Sequence, residues 1–525
     1  MKRKPLPVAL LAVLAFAAAM VAQEKVDLAV VHRIRAEALE SSRVMDHVFY
    51  LSDVYGPRLT GSAGFQAAAD WSVKQLRDWG LENVALEKWG PFGRSWSLVK
   101  YSGSLVEPQR APITGFPLPW SPGTQGPVSG EPIFAELPVT TDQELDAAME
   151  KLKGKLRGKM VMLETPRELS MQTTPASRRL TDAELAPPLS PQPGRSPFDG
   201  LIPQPPVDRE AGQKRTARRL QFLRDEGASM VITPGQRGEW GVIVAGAGGS
   251  RDPKDALPPP MVAISAEHYN RIARLLARKI PVRLEFDIDV KLQNENADTF
   301  NVIAEIPGAR RKDEVVMLGA HLDSWTGGTG AADNAAGCAV MMEAMRILKV
   351  LNLKMDRTVR LALWSAEESG LLGSKAYVKE HFADPQTMVL KPEHGKLSAY
   401  FNFDNGSGKI RGVYLQGNDM LRPVFEAWLA PFQDLGATAL NSRRTTGTDH
   451  LSFDAVGLPG FQFIQDPLEY GTRTHHANLD VYERVQAGDL MQASAIVASF
   501  AYNAAARSEL LPRKPLPKPP SKKAQ

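Results

Sequence analysis

VVMLGAHLDSWTGGTGAADN, from Val315 to Asn334, decides how the rest of the chain reads. Its first half is a short, almost unbroken apolar run ending in Gly-Ala, the pattern of a strand buried on both faces. His321 and Asp323 stand where that strand would stop, and Asp333 follows ten residues later at the mouth of a helix. An imidazole and two carboxylates crowded at a strand end are costly in a soluble core unless positive charge sits between them. A divalent metal ion is the usual source of that charge.

Working outward, the chain from Ala297 on alternates strands with helices. TFNVIAEIPG, RTVRLALWSA, KLSAYFNFD and GFQFIQD read as strands, and Ala332 to Leu351, Leu371 to Phe382, Met420 to Leu435 and Gln486 to Arg507 as helices. Apolar strands separated by helices describe an α/β fold with a largely parallel sheet covered on both faces. In such sheets the working residues lie beyond the carboxyl ends of the strands.

The strand ends collect one kind of chemistry. Glu367 and Glu368 follow RTVRLALW, Asp404 follows KLSAYFNF, and a loop after the last strand carries His475, His476 and, four residues on, Asp480. His321, Asp333, Glu368, Asp404 and His476 make a ligand set for two metal ions sharing one water, whose pKa the ions would lower. Imidazole and carboxylate without thiolate suit two zinc ions per chain, with manganese or cobalt as substitutes. Of the adjacent glutamates, one can bind metal while the other serves as general base and then acid; Glu368 is assigned as ligand and Glu367 as base. Asp323 is expected to act in catalysis indirectly, accepting the other ring proton of His321 and fixing its tautomer. Each residue has an ordinary alternative: Asp333 a helix N-cap, the glutamate pair a solvated loop, the histidine pair surface, Asp404 a turn residue. Five ligand-type residues at successive strand ends are hard to collect by accident.

The 525 residues are too many for one ordinary domain. Hydrophobic residues at 43% and charged ones at 23% describe a globular chain. The formal charge of +4 comes from the ends: without Lys2, Arg3, Lys4 and the five cations of the 513–523 tail, 55 basic residues face 59 acidic ones. No nucleic-acid footprint is present. MKRKPLPVALLAVLAFAAAMVAQEK has the basic start, apolar middle and small-residue end of a secretory signal (residues 1–22), cleaved after Ala19 or Ala22. The expected location is therefore secreted or periplasmic, an uncleaved anchor being the lesser alternative. Cys338 is the single cysteine, which excludes intramolecular disulfides.

Residues 27–55 and 62–80 show helical spacing around the turn GPRLTGSAG. Short β-prone pieces broken by Pro and Gly occupy 84–136, and residues 150–163 read as an amphipathic turn and a strand. The Pro-rich stretch 166–208 is expected to be a loop or lid, partly mobile, before order returns with RTARRLQFLRDEG and ASMVITP. Residues 508–525 are expected to form a disordered basic tail.

GAHLDSW, GAADNAAG, WSAEESGLLGS, FNFDNGSG, GTDHLSF and HHANLD resemble, in order and spacing, the co-catalytic di-zinc aminopeptidases and carboxypeptidases, over about residues 30 to 505. The resemblance implies a three-layer α/β/α sandwich of the phosphorylase/hydrolase-like kind, built from residues 23–124 and 291–507 around an inserted β-rich protease-associated domain at 125–290. It also implies His321, Asp333 and Asp404 around one zinc, and Asp333, Glu368 and His476 around the other. The base is then the first glutamate of the pair, Glu367, and His476 rather than His475 is the ligand. His475 takes the place of a tyrosine that in some relatives stabilises the oxyanion, so it is expected to face the substrate or merely to pack; Asp449 and His450 are expected to face the substrate. Arg58 either braces the fold or reaches the substrate. The implied activity is a secreted metallo-exopeptidase acting as aminopeptidase or dipeptidase, with a peptide or dipeptide as partner, no nucleic acid, no membrane insertion after signal removal, and homodimerisation left open. A binding protein on this scaffold would show broken ligands, and a single-metal cyclase of the same fold would not need His321 and Asp404.

Overall fold

The computed structural model describes residues 24–186 and 209–519. The expected signal segment, residues 187–208 of the Pro-rich stretch and residues 520–525 lie outside them. Among the described residues no helix is long and apolar enough to cross a membrane.

Ten strands form the main sheet. Strand Arg311–His321 pairs in parallel with Arg357–Trp364 on one side and Leu397–Asn402 on the other, and Gly460–Gln465 continues the parallel set. Outward the pairing turns antiparallel, with Ile410–Tyr414 on Gly460–Gln465 and Arg283–Ile306 on Arg357–Trp364. The parallel core is thus the part that carries the strand ends listed above, and the sheet as a whole is mixed. Side chains alternate across a strand, so Val316, Leu318 and Ala320 enter one apolar layer while Val315 and Met317 enter the other. The first layer packs under helices Leu28–Glu40, Ala336–Val350 and Ala487–Ala506, the second under Leu372–His381 and His450–Asp454. The result is three layers around a core buried on both faces.

A second sheet orders Gly115–Pro117, Met261–Ile264, Met230–Thr233, Met160–Met162 and Pro132–Phe134, with apolar clusters of its own. The two sheets are joined by a ribbon. Strand Glu82–Glu107 pairs antiparallel with Arg283–Ile306 from Glu82↔Glu305 to Glu107↔Arg283. Val302 and Ala304 at one end of it lie in the core of the main sheet, and Leu105, Leu284 and Phe286 at the other lie in that of the second. The short β pieces expected from residue 84 are therefore, as far as Glu107, one strand of 26 residues. Gly90 and Pro91 look like a break, but the register shift between Trp89 and Gly93 absorbs them as a bulge.

Two further expectations are corrected. The helix expected from Ala332 starts at Ala336, because Asp333 and Asn334, joined by a cis peptide, have non-helical backbones. The basic tail is docked as far as it is described: Leu511 is buried with its amide on Ser398 Oγ, Arg513 donates to the carbonyls of His394 and Leu397, and Lys514 reaches Asp454. Residues 166–186 are strapped across the main domain, where Arg179 forks onto Asp489 and also meets Asp466.

One buried charge ties the helical layer together. Glu343, fully buried on helix Ala336–Val350, accepts from the Arg43 amide at 3.0 Å and from Arg346 Nε at 2.8 Å, and faces His47 Nε2 at 3.2 Å. Burial alone would raise its pKa, but His47 and Arg346 bring it down from 4.5 to about 2. A carboxyl depressed in the folded state stabilises above its unfolded pKa and loses that contribution as the pH falls through the folded value. Glu343→Gln is expected to cost about 3–5 kcal/mol at neutral pH. The gap in denaturation midpoint between variant and wild type should then narrow as the pH is lowered from 5 towards 3. A gap constant over that range would show that the charge of Glu343 is not what stabilises.

Candidate metal centre

The parallel strands deliver the acidic and imidazole groups to one place. His321 ends strand Arg311–His321, the Glu367–Glu368 pair follows Arg357–Trp364, and Asp404 follows Leu397–Asn402. The loop after Gly460–Gln465 supplies His475 and His476, the latter with a positive φ of 58°. His321 Nε2 stands 3.3 Å from Asp333 Oδ1 and 3.3 Å from Asp404 Oδ1. His476 Nε2 stands 2.9 Å from Glu368 Oε2 and 3.6 Å from Asp333 Oδ2. Asp333 therefore turns one carboxylate oxygen to each imidazole, in two groups of three side chains that share it. Ligating atoms of Glu367 also lie within 4.8 Å of those of His321 and Asp404, and a nitrogen of His475 within 4.8 Å of Asp333 and His476.

These residues fit a pair of cations. Two N/O ligands about 2.0–2.1 Å from one tetrahedral ion stand roughly 3.3 Å apart, which is the spacing around His321. Asp333 Oδ2 and Glu368 Oε1 are buried with no hydrogen-bond partner, an expensive state for carboxylate oxygens that a cation relieves. The charge balance says the same. Burial pushes the Glu367 carboxyl well above its ordinary range, with His321 opposing and Asp404 reinforcing, and raises Glu368 to about 7 against the pull of His476. Asp333 goes the other way: burial is outweighed by His321 and His476, which hold it below the usual carboxylate range. The His321 ring, although burial opposes it, is pushed well above its ordinary pKa by Asp404 and Glu367. So many acids in one buried pocket call for compensating positive charge.

Supporting groups set the shape. Asp323 accepts from the other ring nitrogen of His321: its backbone carbonyl stands 2.9 Å from Nδ1, and its carboxylate Oδ1 is in ion-pair range at 3.6 Å. The carboxylate is committed to the Glu367 amide at 3.1 Å, so it shapes the turn of the glutamate pair. Asp480 accepts the amides of Ala332 and Asp333 at 2.6 and 3.0 Å and so fixes the turn that aims Asp333. Arg58, completely buried, donates to the carbonyls of Leu51, Leu322, Thr329 and Gly330. Of its two readings the brace is the one the structure takes. Asp449 and His450, expected to face substrate, are completely buried, as His321 nearly is. The Asp449 carboxyl is raised to about 7, mainly by burial and with Asp404 and Asp323 reinforcing, and His450 Nε2 meets the Thr445 carbonyl at 3.3 Å. Cys338 is buried under the His321 carbonyl, its thiol pushed up to about 12, which leaves no reactive thiolate.

Two neighbours were not legible in the sequence. Trp325 stands edge-on to His476 with ring centres 6.1 Å apart and edge-on to Trp120, making an aromatic wall beside the loop. Arg237, from the segment between the second sheet's strands, donates to the carbonyl of Gly471 at 2.7 Å and meets His475 Nδ1 at 2.9 Å. HLDSW offered the tryptophan by adjacency to the motif; nothing in the sequence pointed to Arg237. A cavity of about 530 Å³ beside it is lined by Arg167, Trp240, Thr472 and Arg473 among others, and by none of the clustered acids.

Comparison with known proteins places the same residues in one frame. Residues 301–501, which contain His321, Asp333, Glu367, Glu368, Asp404 and His476, match peptidase family M28. Carboxypeptidase Q of Homo sapiens is 26% identical over 474 residues, spanning 90% of this chain and 87% of its own. Among solved structures, a peptidase M28 precursor from Shewanella amazonensis aligns with a TM-score of 0.64 at 27% identity, covering 93% of this chain and 98% of that one. A zinc aminopeptidase from Bacillus subtilis aligns with a TM-score of 0.53 at 20% identity over 89% and 95% of the two chains, a likeness of fold.

Proposed function

We propose, from the premise that this chain belongs to peptidase family M28 and is a metallopeptidase, that it is an exported di-zinc exopeptidase hydrolysing the peptide bond next to a chain terminus, as an aminopeptidase or dipeptidase. The observation that carries the reading is the Asp333 carboxylate, with one oxygen 3.3 Å from His321 and the other 3.6 Å from His476. His321, Asp333 and Asp404 would hold one ion, and Asp333, Glu368 and His476 the other. A donor set of imidazole and carboxylate favours zinc, with manganese or cobalt as substitutes. When bound, the ions would supply Lewis-acid polarisation of the scissile carbonyl and a lowered pKa for the attacking water.

The side chains do the rest. Glu367, beside the ligands, takes the proton of the attacking water and returns it to the leaving amine. Asp323 and Asp480 keep the glutamate turn and Asp333 in place through backbone amides. Trp325, backed by the buried Trp120, sets an apolar ring edge-on to His476. Export rests on the signal pattern of residues 1–22.

The deciding experiment pairs metal analysis with a substrate panel. Chain dialysed against zinc is expected to retain about two ions and to hydrolyse dipeptides and peptides with a free amino terminus. N-blocked peptides should stand uncut, and 1,10-phenanthroline should abolish turnover reversibly. Zinc retained without hydrolysis of any terminal bond would sink the exopeptidase reading.

A further inference from the structure

We propose that Arg237, contributed by the inserted domain, is a positioning residue: it fixes His475 in the tautomer that presents an Nε2–H donor to the metal centre. The inference rests on the peptidase reading above. Arg237 Nη2 stands 2.9 Å from His475 Nδ1. A guanidinium has donors only, so Nδ1 must be the acceptor and the ring proton sits on Nε2. The same nitrogen donates to the His475 carbonyl at 3.2 Å, and Nη1 to the Gly471 carbonyl at 2.7 Å. One fork therefore fixes both the ring and the backbone that carries it. The ring is held in plane as well, stacked on His476 at 3.8 Å and packed against Tyr470 at 4.8 Å between centres.

Proximity alone would admit His475 as a metal ligand, since one of its nitrogens lies within 4.8 Å of ligating atoms of Asp333 and His476. Arg237 removes that option. With Nδ1 occupied, the nitrogen left for the centre is Nε2, and as N–H it donates rather than coordinates. A preorganised donor beside the metal ions is what a developing tetrahedral anion requires. The position of Arg237 is itself fixed by pairing between the domains. Ile243 N donates to Asn478 Oδ1 at 2.7 Å, Asn478 N to the Ile243 carbonyl at 3.1 Å, and Ala245 N to the His476 carbonyl at 3.3 Å. The inserted domain thus reaches the chemistry through the histidine loop.

The test uses the zinc-loaded full chain and four proteins: wild type, Arg237→Ala, His475→Ala and the double variant. Nitrogen-15 spectra of the imidazoles, with His475 identified by its absence in His475→Ala, should show the proton on Nε2 in wild type and a mixture of tautomers in Arg237→Ala. Arg237→Ala should lower kcat roughly 10–100-fold with little change in KM and unchanged zinc content. In the His475→Ala background the same substitution should have no further effect, because Arg237 acts through that ring. Protonation at Nδ1 in wild type, or an Arg237→Ala loss that persists undiminished without His475, overturns the proposal. If wild type cleaves no peptide, the peptidase reading falls, and the nitrogen-15 spectra still decide the tautomer.

Discussion

Replacing Glu367 by glutamine is expected to slow peptide hydrolysis by roughly 10²–10⁴-fold while zinc content stays at the wild-type level. Glutamine keeps the volume and the backbone bond to Asp323, so the turn that presents both glutamates survives. What it loses is the proton acceptor. The measurement must report metal and rate together, because Glu367 lies close enough to His321 and Asp404 to bind an ion itself. Wild-type rates in the variant would place the base elsewhere. Loss of one zinc equivalent would make Glu367 a ligand and move the base to another group. The adjacent Glu368 is the control: its Oε2 is 2.9 Å from His476 Nε2 and its Oε1 has no partner, so Glu368→Gln should lose metal as well as rate.

Asp333→Asn is expected to release both ions, whereas His321→Ala and His476→Ala should each leave one in place. The reason is the divided carboxylate. Asparagine offers one neutral oxygen where two charged ones now face the two imidazoles. Zinc per chain after dialysis, read by plasma mass spectrometry, separates the three variants. Stability gives an independent reading: a ligand at a thousand times its Kd contributes about 4 kcal/mol, so added zinc should raise the denaturation midpoint of wild type and leave that of Asp333→Asn nearly unchanged. An Asp333→Asn protein that holds as much zinc as wild type would end the bridging assignment.

Most groups of the centre were legible because they stand just past an apolar run, where a strand must stop and a charge has no structural reason to be. His321, Glu367, Glu368 and Asp404 are found this way, and they converge because parallel neighbours end on the same edge of a sheet. Asp333 and His476 stand in loops, and the resemblance, not a strand end, singled out His476 from His475. Roles that depend on which atom of a residue is used were not legible. Asp323 serves His321 through its carbonyl, a choice of a few tenths of an ångström that residue type does not encode. Asp449 and His450 sit in a motif-like GTDH run, and the run says nothing of their complete burial. Arg237 was invisible for a different reason. Its partner lies 238 positions away, and only the pairing of two domains brings them together. Composition also misled at the C-terminus, where proline and lysine suggested a free tail while Leu511 and Arg513 had specific places to dock.

The joint between the two sheets has a mechanical consequence. A pair of strands laddered by amide bonds over more than twenty residues behaves as a leaf spring, stiff along its plane and compliant only where the ladder is interrupted. The interruptions lie at Glu82 to Ala85 and Trp89 to Ser95, near the main sheet, and at Leu98 to Lys100 and Leu105 to Glu107 farther out. Flexing of the ribbon is therefore concentrated at those steps. Lengthening the ribbon by two residues on each strand would shift the outer lobe along its own axis and carry Arg237 off the histidine loop without touching a single residue of the centre.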